Sequence, residues 1–384
     1  MKIDPYKHKE RYLNWKEKIK GIIPEISKFN SDLILKYLDN MENGVNIAST
    51  NKKGCRSYIR LNTLREKMIF FSKKFKEKYD LDRVVDISEE QLIKFFSEMS
   101  NGTMKRKDNG EYHSLATFVK VFKSFWHWYQ KINKKEGVEI PEITADLDSR
   151  QDKPKWVYLT EEQVKKLCDN SKYEYKALIM FLFDSGIRSP TELVNVKVSD
   201  LYNDCKELQI REEISKTFGR RIKLMLCSEI LKDYIKYKNL EKSDHLFLIC
   251  PQVVNRYLQR VATKVFGDVE TLAGQKYSEI TMYDFRHISC CYWLPRYKSE
   301  SSLKYRFGWK KSDKIFYYSE MLGMKDTISE EDILDKEEKT HLQKELKQSE
   351  RTNGIMQEQI NSLEAQMKEI YKMVSMMVEK TRKD

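Results

Sequence analysis

The chain has 384 residues, which is enough for two or three domains, and a hydrophobic fraction of 40% can fill a core in each of them. Its 71 basic and 59 acidic residues leave a net charge of +12, which favours a polyanion such as nucleic acid as the partner. Seven cysteines without metal-type spacing argue against a disulfide framework and for reduced thiols. A charged N-terminus and the lack of any apolar run of about 18 residues argue against a signal peptide and a membrane span, so we expect a cytoplasmic protein.

The first third of the chain has the apolar spacing of helices. From Ile22 to about Ile132, apolar residues recur at helical intervals, as in SDLILKYLDNM and SLATFVKVFKSFWHWYQKI. We therefore predict an all-helical domain over residues 1–140, and we expect it to bind DNA. Serines that precede the apolar runs are expected to cap the helices: Ser31, Ser88 and Ser114.

The helical pattern stops after this domain. The segment KKEGVEIPEITADLDSRQDKPKWV has no periodicity and contains Pro141 and Pro154. Such a stretch is typical of an extended linker, which we predict over residues 141–155. A second domain is predicted to follow over residues 156–330.

The second domain combines helices with a small sheet. Thr160 and Gln163 have the spacing of a capping box in YLTEEQVKKLCDN, and YEYKALIMFLFDSG is a nearly all-apolar helix suited to the centre of a core. In KELQIREEISKTFGRRIKLML two short alternating runs flank KTFG, which predicts a β-hairpin or a three-stranded sheet. Helices resume after Cys227. The predicted fold class is therefore mainly α with a small β-sheet.

The end of the chain carries a heptad pattern. Apolar residues at positions a and d over about five repeats predict a coiled coil within residues 336–384. The a positions are Leu346, Asn353, Ile360, Met367 and Val374, and the d positions are Leu342, Ser349, Met356, Leu363, Ile370 and Met377. The partner helix would come from a second copy or from another protein. The alternative is a helix that folds back on its own domain.

Two arginines stand in mostly apolar or neutral stretches, Arg188 in DSGIRSPTEL and Arg286 in MYDFRHIS. Either one alone is compatible with a side chain that reaches solvent or pairs with a carboxylate. With Lys216 on the hairpin and Tyr318 near the end of the second domain, they fit the cleavage of a phosphodiester. A phenolate that attacks phosphorus creates a pentacoordinate state, whose charge guanidinium groups stabilise while an ammonium protonates the leaving 5′ oxygen. This chemistry requires no metal or nucleotide cofactor.

The order of these motifs resembles the tyrosine recombinase family, also called phage integrases, over roughly residues 30–325. The family's first box, Gly-x-Arg-x-x-Glu-Leu, looks like SGIRSPTELVNVKVSD, and its hairpin lysine looks like the lysine of SKTFGRRIKL. Its second box, His-x-x-Arg-His, is similar to YDFRHIS, and its third box is similar to FGWKKSDKIFYYSEM. The matching residues are Gly186, Arg188, Glu192, Leu193, Asp200, Lys216, Arg286, His287, Gly308, Trp309 and Tyr318.

The resemblance implies an enzyme that cuts and rejoins DNA through a covalent 3′-phosphotyrosyl intermediate at Tyr318. It implies an N-terminal helical, SAM-like core-binding domain and an α/β catalytic domain that close around double-stranded DNA. It also implies self-association on DNA as a tetrameric synapse. The coiled coil lies outside the common family pattern.

One position departs from the family pattern, because Tyr283 stands where the second box has its first histidine. A phenol can donate a hydrogen bond to a phosphate, but with a pKa of about 10 it is a poor general base. Trp309 is expected to donate its indole N–H to a phosphate oxygen. Glu192 is expected to hold Arg188, with an ordinary surface ion pair as the alternative, and His287 is either a supporting residue or a core histidine.

Two other functions are compatible with the same sequence. Tyr283 fits a decayed active site in a DNA-binding protein with an architectural or regulatory role. A type IB topoisomerase uses much the same chemistry but acts as a monomer, and the predicted coiled coil argues against it. Tyr317 is the alternative nucleophile, although the spacing from Trp309 favours Tyr318.

Overall fold

The computed structural model describes part of the chain in detail, namely residues 2–45, 54–112, 114–150, 154–297, 299–322, 360 and 367. The chain divides into two compact units, Met1–Asp313 and Lys314–Asp384, and each is described by itself. The first unit is mostly helical and contains one small antiparallel sheet, which confirms the predicted fold class.

The first unit begins with five helices: α1 His8–Ile19, α2 Lys28–Glu42, α3 Tyr58–Tyr79, α4 Glu89–Ser100 and α5 Leu115–Lys135. Helix α1 lies before Ile22, where the predicted helical pattern begins. Its sequence is rich in charged residues, so its apolar spacing is weak. Ser88 caps α4 in a complete capping box, as predicted. The predicted cap at Ser31 is wrong, because Ser27 caps α2 and Ser31 lies inside that helix. Ser114 precedes α5 without a side-chain cap bond.

Aromatic rings fill the core between these five helices. Phe71 on α3 meets Phe122 on α5 edge to face with ring centroids 5.1 Å apart, and Phe75 meets Phe95 of α4 at the same separation. Both contacts have the edge-to-face geometry that aromatic quadrupoles favour. The long apolar stripe of α5 is therefore explained by burial against α3 and α4.

The described residues between α5 and α6 form no helix or named strand, although Trp156 makes a single parallel bridge to Gly274. The predicted domain boundaries at 140 and 155 remain predictions. The chain then forms α6 Glu161–Asp169, α7 Tyr173–Ser185, α8 Ser228–Tyr237, α9 Pro251–Phe266, α10 Asp284–Trp293 and α11 Glu300–Phe307. The predicted capping box at Thr160 and Gln163 opens α6.

A three-stranded antiparallel sheet lies between α7 and α8 in the chain, in the order β1 Leu201–Tyr202, β2 Glu207–Ile210 and β3 Arg220–Lys223. Leu208 pairs with Ile222 in the β2–β3 register. The predicted hairpin is thus confirmed in its three-stranded form. The apolar helix α7 packs against α6, α8 and α10, which places the end of α7 in the interior.

Helix α12, Asp313–Met321, leads into the second unit and carries Tyr317 and Tyr318. The predicted coiled coil lies outside the described residues, apart from Ile360 and Met367, which are both helical. None of the helices that the structure describes has the length and apolarity needed to cross a bilayer.

Candidate active site

Arg188 and Arg286, the two arginines of the sequence motifs, both lie close to a helix end. Helix α7 stops at Gly186, whose φ of +58° favours glycine, and Arg188 follows two residues later. A Cβ at Gly186 would lie 2.3 Å from a ring atom of Phe307, so no other residue fits this close approach of α7 to α11. Arg286 lies in the first turn of α10 and is buried.

The two guanidinium groups converge on the end of α11. Nη2 of Arg286 donates to the carbonyl of Phe307, and Nη2 of Arg188 donates to the carbonyl of Gly308 at 2.9 Å. Nη1 of Arg286 also donates to the carbonyl of Gly186 at 2.6 Å. Residues that are about a hundred positions apart are therefore fixed to consecutive carbonyls, and both guanidinium planes are held by the backbone.

Glu192 is the anion of this cluster, and its side chain is 1% exposed. Oε1 accepts from Nη1 of Arg188 at 2.7 Å, and Oε2 accepts from Nη2 of Arg220 at 2.9 Å. Oε2 also accepts from the backbone N–H of Arg188 at 3.2 Å, in a turn that is not an α-helix. The surface ion pair considered as an alternative is therefore wrong, because the carboxylate is buried between two arginines.

Burial and charge act in opposite directions on these groups. Burial raises the pKa of Glu192, but the nearby charges of Arg220 and Arg188 outweigh it and hold the pKa at about 2. Burial lowers the pKa of Arg286 to about 10, and the charges of Arg188 and Arg220 contribute to the same shift. All of these groups are charged at neutral pH, so the cluster carries three guanidinium groups and one carboxylate.

The loop between β2 and β3 brings Lys216 to the same cluster. The backbone N–H of Lys216 donates to Oε1 of Glu192 at 3.4 Å, and the hydroxyl of Thr217 donates to the carbonyl of Gly308 at 2.9 Å. The side chain of Lys216 is exposed, and its ammonium has no ion pair among the described residues. The loop is thus anchored by its backbone while the ammonium points to solvent.

The second box places Tyr283 and His287 around Arg286. Tyr283 is half exposed, and its ring meets that of His287 edge to face with centroids 5.3 Å apart. His287 stacks on Trp156 at 4.8 Å. The imidazole is therefore half-buried between two aromatic rings, a position that fits a supporting role better than a core histidine.

Trp309 directly follows the carbonyls that hold the two arginines. Its ring stacks on Phe307 at 4.9 Å, and the Arg286 guanidinium carbon lies 6.0 Å from the ring centroid. Trp309 is partly exposed. Among the described residues, no group of three or more His, Cys, Asp or Glu side chains is placed to hold a metal ion.

Tyr318 belongs to the second unit and is described within it. Its side chain is buried, and its ring meets that of Tyr317 at 5.0 Å with an interplanar angle of 70°. Tyr317 is more exposed than Tyr318. The choice of Tyr318 as nucleophile stays a prediction.

Residues 157–322 match the sequence profile of the Phage integrase family. The matched segment contains every residue of the convergent cluster, from the turn after α7 to the end of α11. No curated protein sequence matches the chain.

Solved structures extend the comparison beyond the matched segment. XerH recombinase bound to its difH substrate has a TM-score of 0.55 at 14% identity, with 78% of this chain and 95% of that chain covered. The Tn1549 transposon integrase with transposon right end DNA has a TM-score of 0.54 at 13% identity, with 78% and 96% covered. A lambda integrase dimer on a COC′ core site has a TM-score of 0.53 at 14% identity, with 78% and 79% covered. These structures share the fold, and nothing in them favours the architectural or topoisomerase alternatives.

One member of the convergent cluster, Arg220, was missed by the sequence analysis. Arg220 is the first residue of β3 and is fully buried against Glu192. The signal was present, because strand alternation puts Arg220 in phase with the inward Ile222. The sequence did not reveal which carboxylate would meet it, since Glu192 lies far away in the chain.

Proposed function

We propose that this protein is a site-specific recombinase that cuts and rejoins DNA strands through a covalent 3′-phosphotyrosyl intermediate. The observation that carries the proposal is the convergence of Arg188 and Arg286 on the carbonyls of Phe307 and Gly308. Two guanidinium groups fixed side by side by backbone carbonyls supply positive charge of the kind that stabilises a pentacoordinate phosphate.

Arg188 is the group that meets the phosphate most directly in this proposal. Its side chain is 13% exposed, whereas Glu192 beneath it is 1% exposed, so one edge of the guanidinium remains available to an anion. The buried Arg286 guanidinium adds a second positive charge to the site. The hydroxyl of the half-exposed Tyr283 and the indole N–H of Trp309 are proposed as further donors to phosphate oxygens.

The covalent step joins Tyr318 to the DNA. The Tyr318 phenol releases its proton to solvent as its oxygen attacks phosphorus, the bond from phosphorus to the 5′ oxygen breaks, and Lys216 gives a proton to that oxygen as it leaves. The new phosphotyrosyl ester keeps the energy of the broken ester, so attack by a 5′ hydroxyl reverses the step. Tyr318 is buried, and therefore the phenol has to become accessible before the attack.

Double-stranded DNA is the proposed substrate, in keeping with the net charge of +12. The recombinase structures named above were determined with DNA, and one of them is a dimer on its core site. We extend both properties to this chain and propose that protomers associate on DNA as a tetrameric synapse. The helical N-terminal region, the linker and the C-terminal coiled coil keep their predicted roles as DNA-binding domain, connection and association segment.

A covalent capture experiment tests the function without knowledge of the target sequence. The full chain is incubated with a pool of nicked duplexes of random sequence, in which cleavage near the nick releases a short fragment that carries the free 5′ hydroxyl, and its loss by diffusion prevents religation. We expect a protein–DNA adduct that survives denaturation, and sequencing of the captured DNA gives the preferred site. Tight duplex binding without any adduct would instead support the architectural alternative.

A further inference from the structure

Arg220 is a buried cation that the proposed chemistry does not use. Its side chain is 0% exposed, and it lies on the inner side of β3 while Arg221 and Lys223 alternate to the outer side. Burial lowers its pKa from the usual value of an arginine, yet Glu192 opposes the shift. A guanidinium this enclosed cannot reach a DNA phosphate, so any part in cleavage has to pass through its neighbours.

Every nitrogen of the Arg220 guanidinium is bound to part of the candidate site. Nη2 donates to Oε2 of Glu192 at 2.9 Å, Nε donates to the carbonyl of Arg306 at 2.9 Å, and Nη1 donates to the hydroxyl of Ser215 at 3.4 Å. These acceptors lie in the turn after α7, at the end of α11 and in the loop between β2 and β3. The same three segments carry the candidate reactive residues of the first unit.

Gly308 packs directly against this guanidinium. A Cβ at Gly308 would lie 3.0 Å from Nη1 and 3.2 Å from Cζ of Arg220, and the φ of Gly308 is +60°. The carbonyl of Gly308 accepts from Arg188 and from Thr217, both at 2.9 Å. A displaced Arg220 would therefore shift both Glu192 and the carbonyl that orient Arg188.

We propose that Arg220 is a positioning residue for cleavage, which holds Glu192 and Gly308 so that the Arg188 guanidinium keeps its accessible edge toward the phosphate. The inference rests on the proposed recombinase function. A lysine is a poor substitute, because one ammonium on a flexible stem does not reproduce three donors aimed in fixed directions. The role thus requires the geometry of arginine as well as its charge.

The test measures the single-turnover rate of adduct formation by the full chain on the duplex recovered in the capture experiment. Arg220→Lys is expected to lower this rate by roughly 10–100-fold, the usual cost of losing a group that orients a reactive residue. Affinity for the duplex should change by less than about threefold, because Arg220 does not reach the surface.

Arg65→Lys is the matched control. Arg65 is another buried arginine, 11% exposed in its side chain, but it lies on α3 outside the candidate site, where it pairs with Glu66 and packs over the Trp15 ring. The same substitution at this position should lower the melting temperature while the cleavage rate stays within about threefold. An equal loss of cleavage in both variants would overturn the positioning role and indicate a general packing defect.

A double-mutant cycle with Glu192→Gln separates positioning from stability. If Arg220 acts through Glu192, the double variant should cleave no more slowly than the slower single variant. Fold-losses that multiply would contradict the proposed route. Should Arg220→Lys fail to fold, Ser215→Ala tests the same network, because the Ser215 hydroxyl contacts both Glu192 and Arg220 at 3.4 Å. Its removal is expected to slow cleavage several-fold, and an unchanged rate counts against the proposal.

Failure of this inference differs from failure of the proposed function. A wild-type chain that forms no adduct overturns the recombinase function and the role of Arg220 in it. A wild-type chain that forms the adduct, with Arg220→Lys cleaving at the same rate, overturns only the positioning role.

Discussion

Two buried acid–arginine clusters flank the end of α7, one at Asp184 and one at Glu192, and they differ in what they leave exposed. In the first, Asp184 accepts from Nη2 of Arg306 at 3.0 Å and from the backbone N–H groups of Leu226 and Cys227. In the second, Glu192 accepts from Arg188 and Arg220. Both carboxylates are almost completely removed from solvent.

The difference lies in the arginines. Arg306 is closed in on every side: Nη1 donates to the carbonyl of Lys223 at 2.9 Å, and the guanidinium covers the Trp293 ring at 4.2 Å. Arg188 keeps 13% of its side chain exposed. A buried ion pair whose cation is fully enclosed cannot itself bind an anion, whereas a partly exposed arginine backed by a buried carboxylate can receive one.

Removal of either arginine of the convergent pair should have the largest effect on activity. Arg188→Ala and Arg286→Ala are each expected to lower the cleavage rate by roughly two to four orders of magnitude, as for the loss of a donor to a charged transition state. The rate of adduct formation measures this effect, with duplex affinity as the control for folding and binding. Near wild-type cleavage in both variants would mean that the convergent pair is structural.

Removal of the Asp184 carboxylate should chiefly lower the free energy of unfolding. Asp184→Ala leaves the Arg306 guanidinium buried without its counter-charge and frees two backbone donors, so we expect a loss of about 3–5 kcal/mol in the free energy of unfolding. Denaturant titration measures it. At temperatures where the variant is folded, adduct formation should proceed within about threefold of wild type, and a loss as deep as that of Arg188→Ala would erase the distinction between the clusters.

Acid should weaken the Glu192 cluster in a defined window. The folded pKa of Glu192 is held at about 2, below the unfolded value of about 4.3, so its contribution is present above the unfolded pKa and is lost as pH falls toward 2. Glu192→Gln removes this titration. The difference in melting temperature between wild type and Glu192→Gln should therefore narrow from about pH 5 to about pH 2. A constant difference would show that the carboxylate is not held by the arginines.

The smallest effect is expected at Tyr283, where the chain departs from the family pattern. Tyr283→Phe removes one hydroxyl at a half-exposed position and should lower cleavage by less than about tenfold. Tyr283→His restores the residue of the family's second box and should keep or raise the rate. An unchanged Phe variant would show that the hydroxyl does not contact the phosphate, and a wild type that is inactive until His is introduced would favour the decayed-enzyme alternative.

The sequence was sufficient for the elements and for the reactive residue types, because both leave local patterns. Apolar spacing predicted the helices, alternation predicted the sheet, and short motifs marked Arg188 and Arg286. The hydrogen-bond and ion-pair partners of these residues were harder to predict from the sequence. The acceptors on Phe307 and Gly308 are backbone carbonyls, which have no sequence signature, and the pairing of Glu192 with Arg220 depends on how a turn and a strand pack. The cap at Ser31 was misplaced because Ser27 offers the same chemistry one turn earlier.

The most direct test of the account is the identity of the residue that joins the DNA. Tyr318→Phe and Tyr317→Phe differ by one position in α12 and remove one hydroxyl each, so they serve as controls for one another. On the captured duplex, Tyr318→Phe should bind with an affinity within a few-fold of wild type and form no covalent adduct, while Tyr317→Phe should form it at close to the wild-type rate. Adduct formation by Tyr318→Phe would contradict the central claim that Tyr318 is the nucleophile of a recombinase active site.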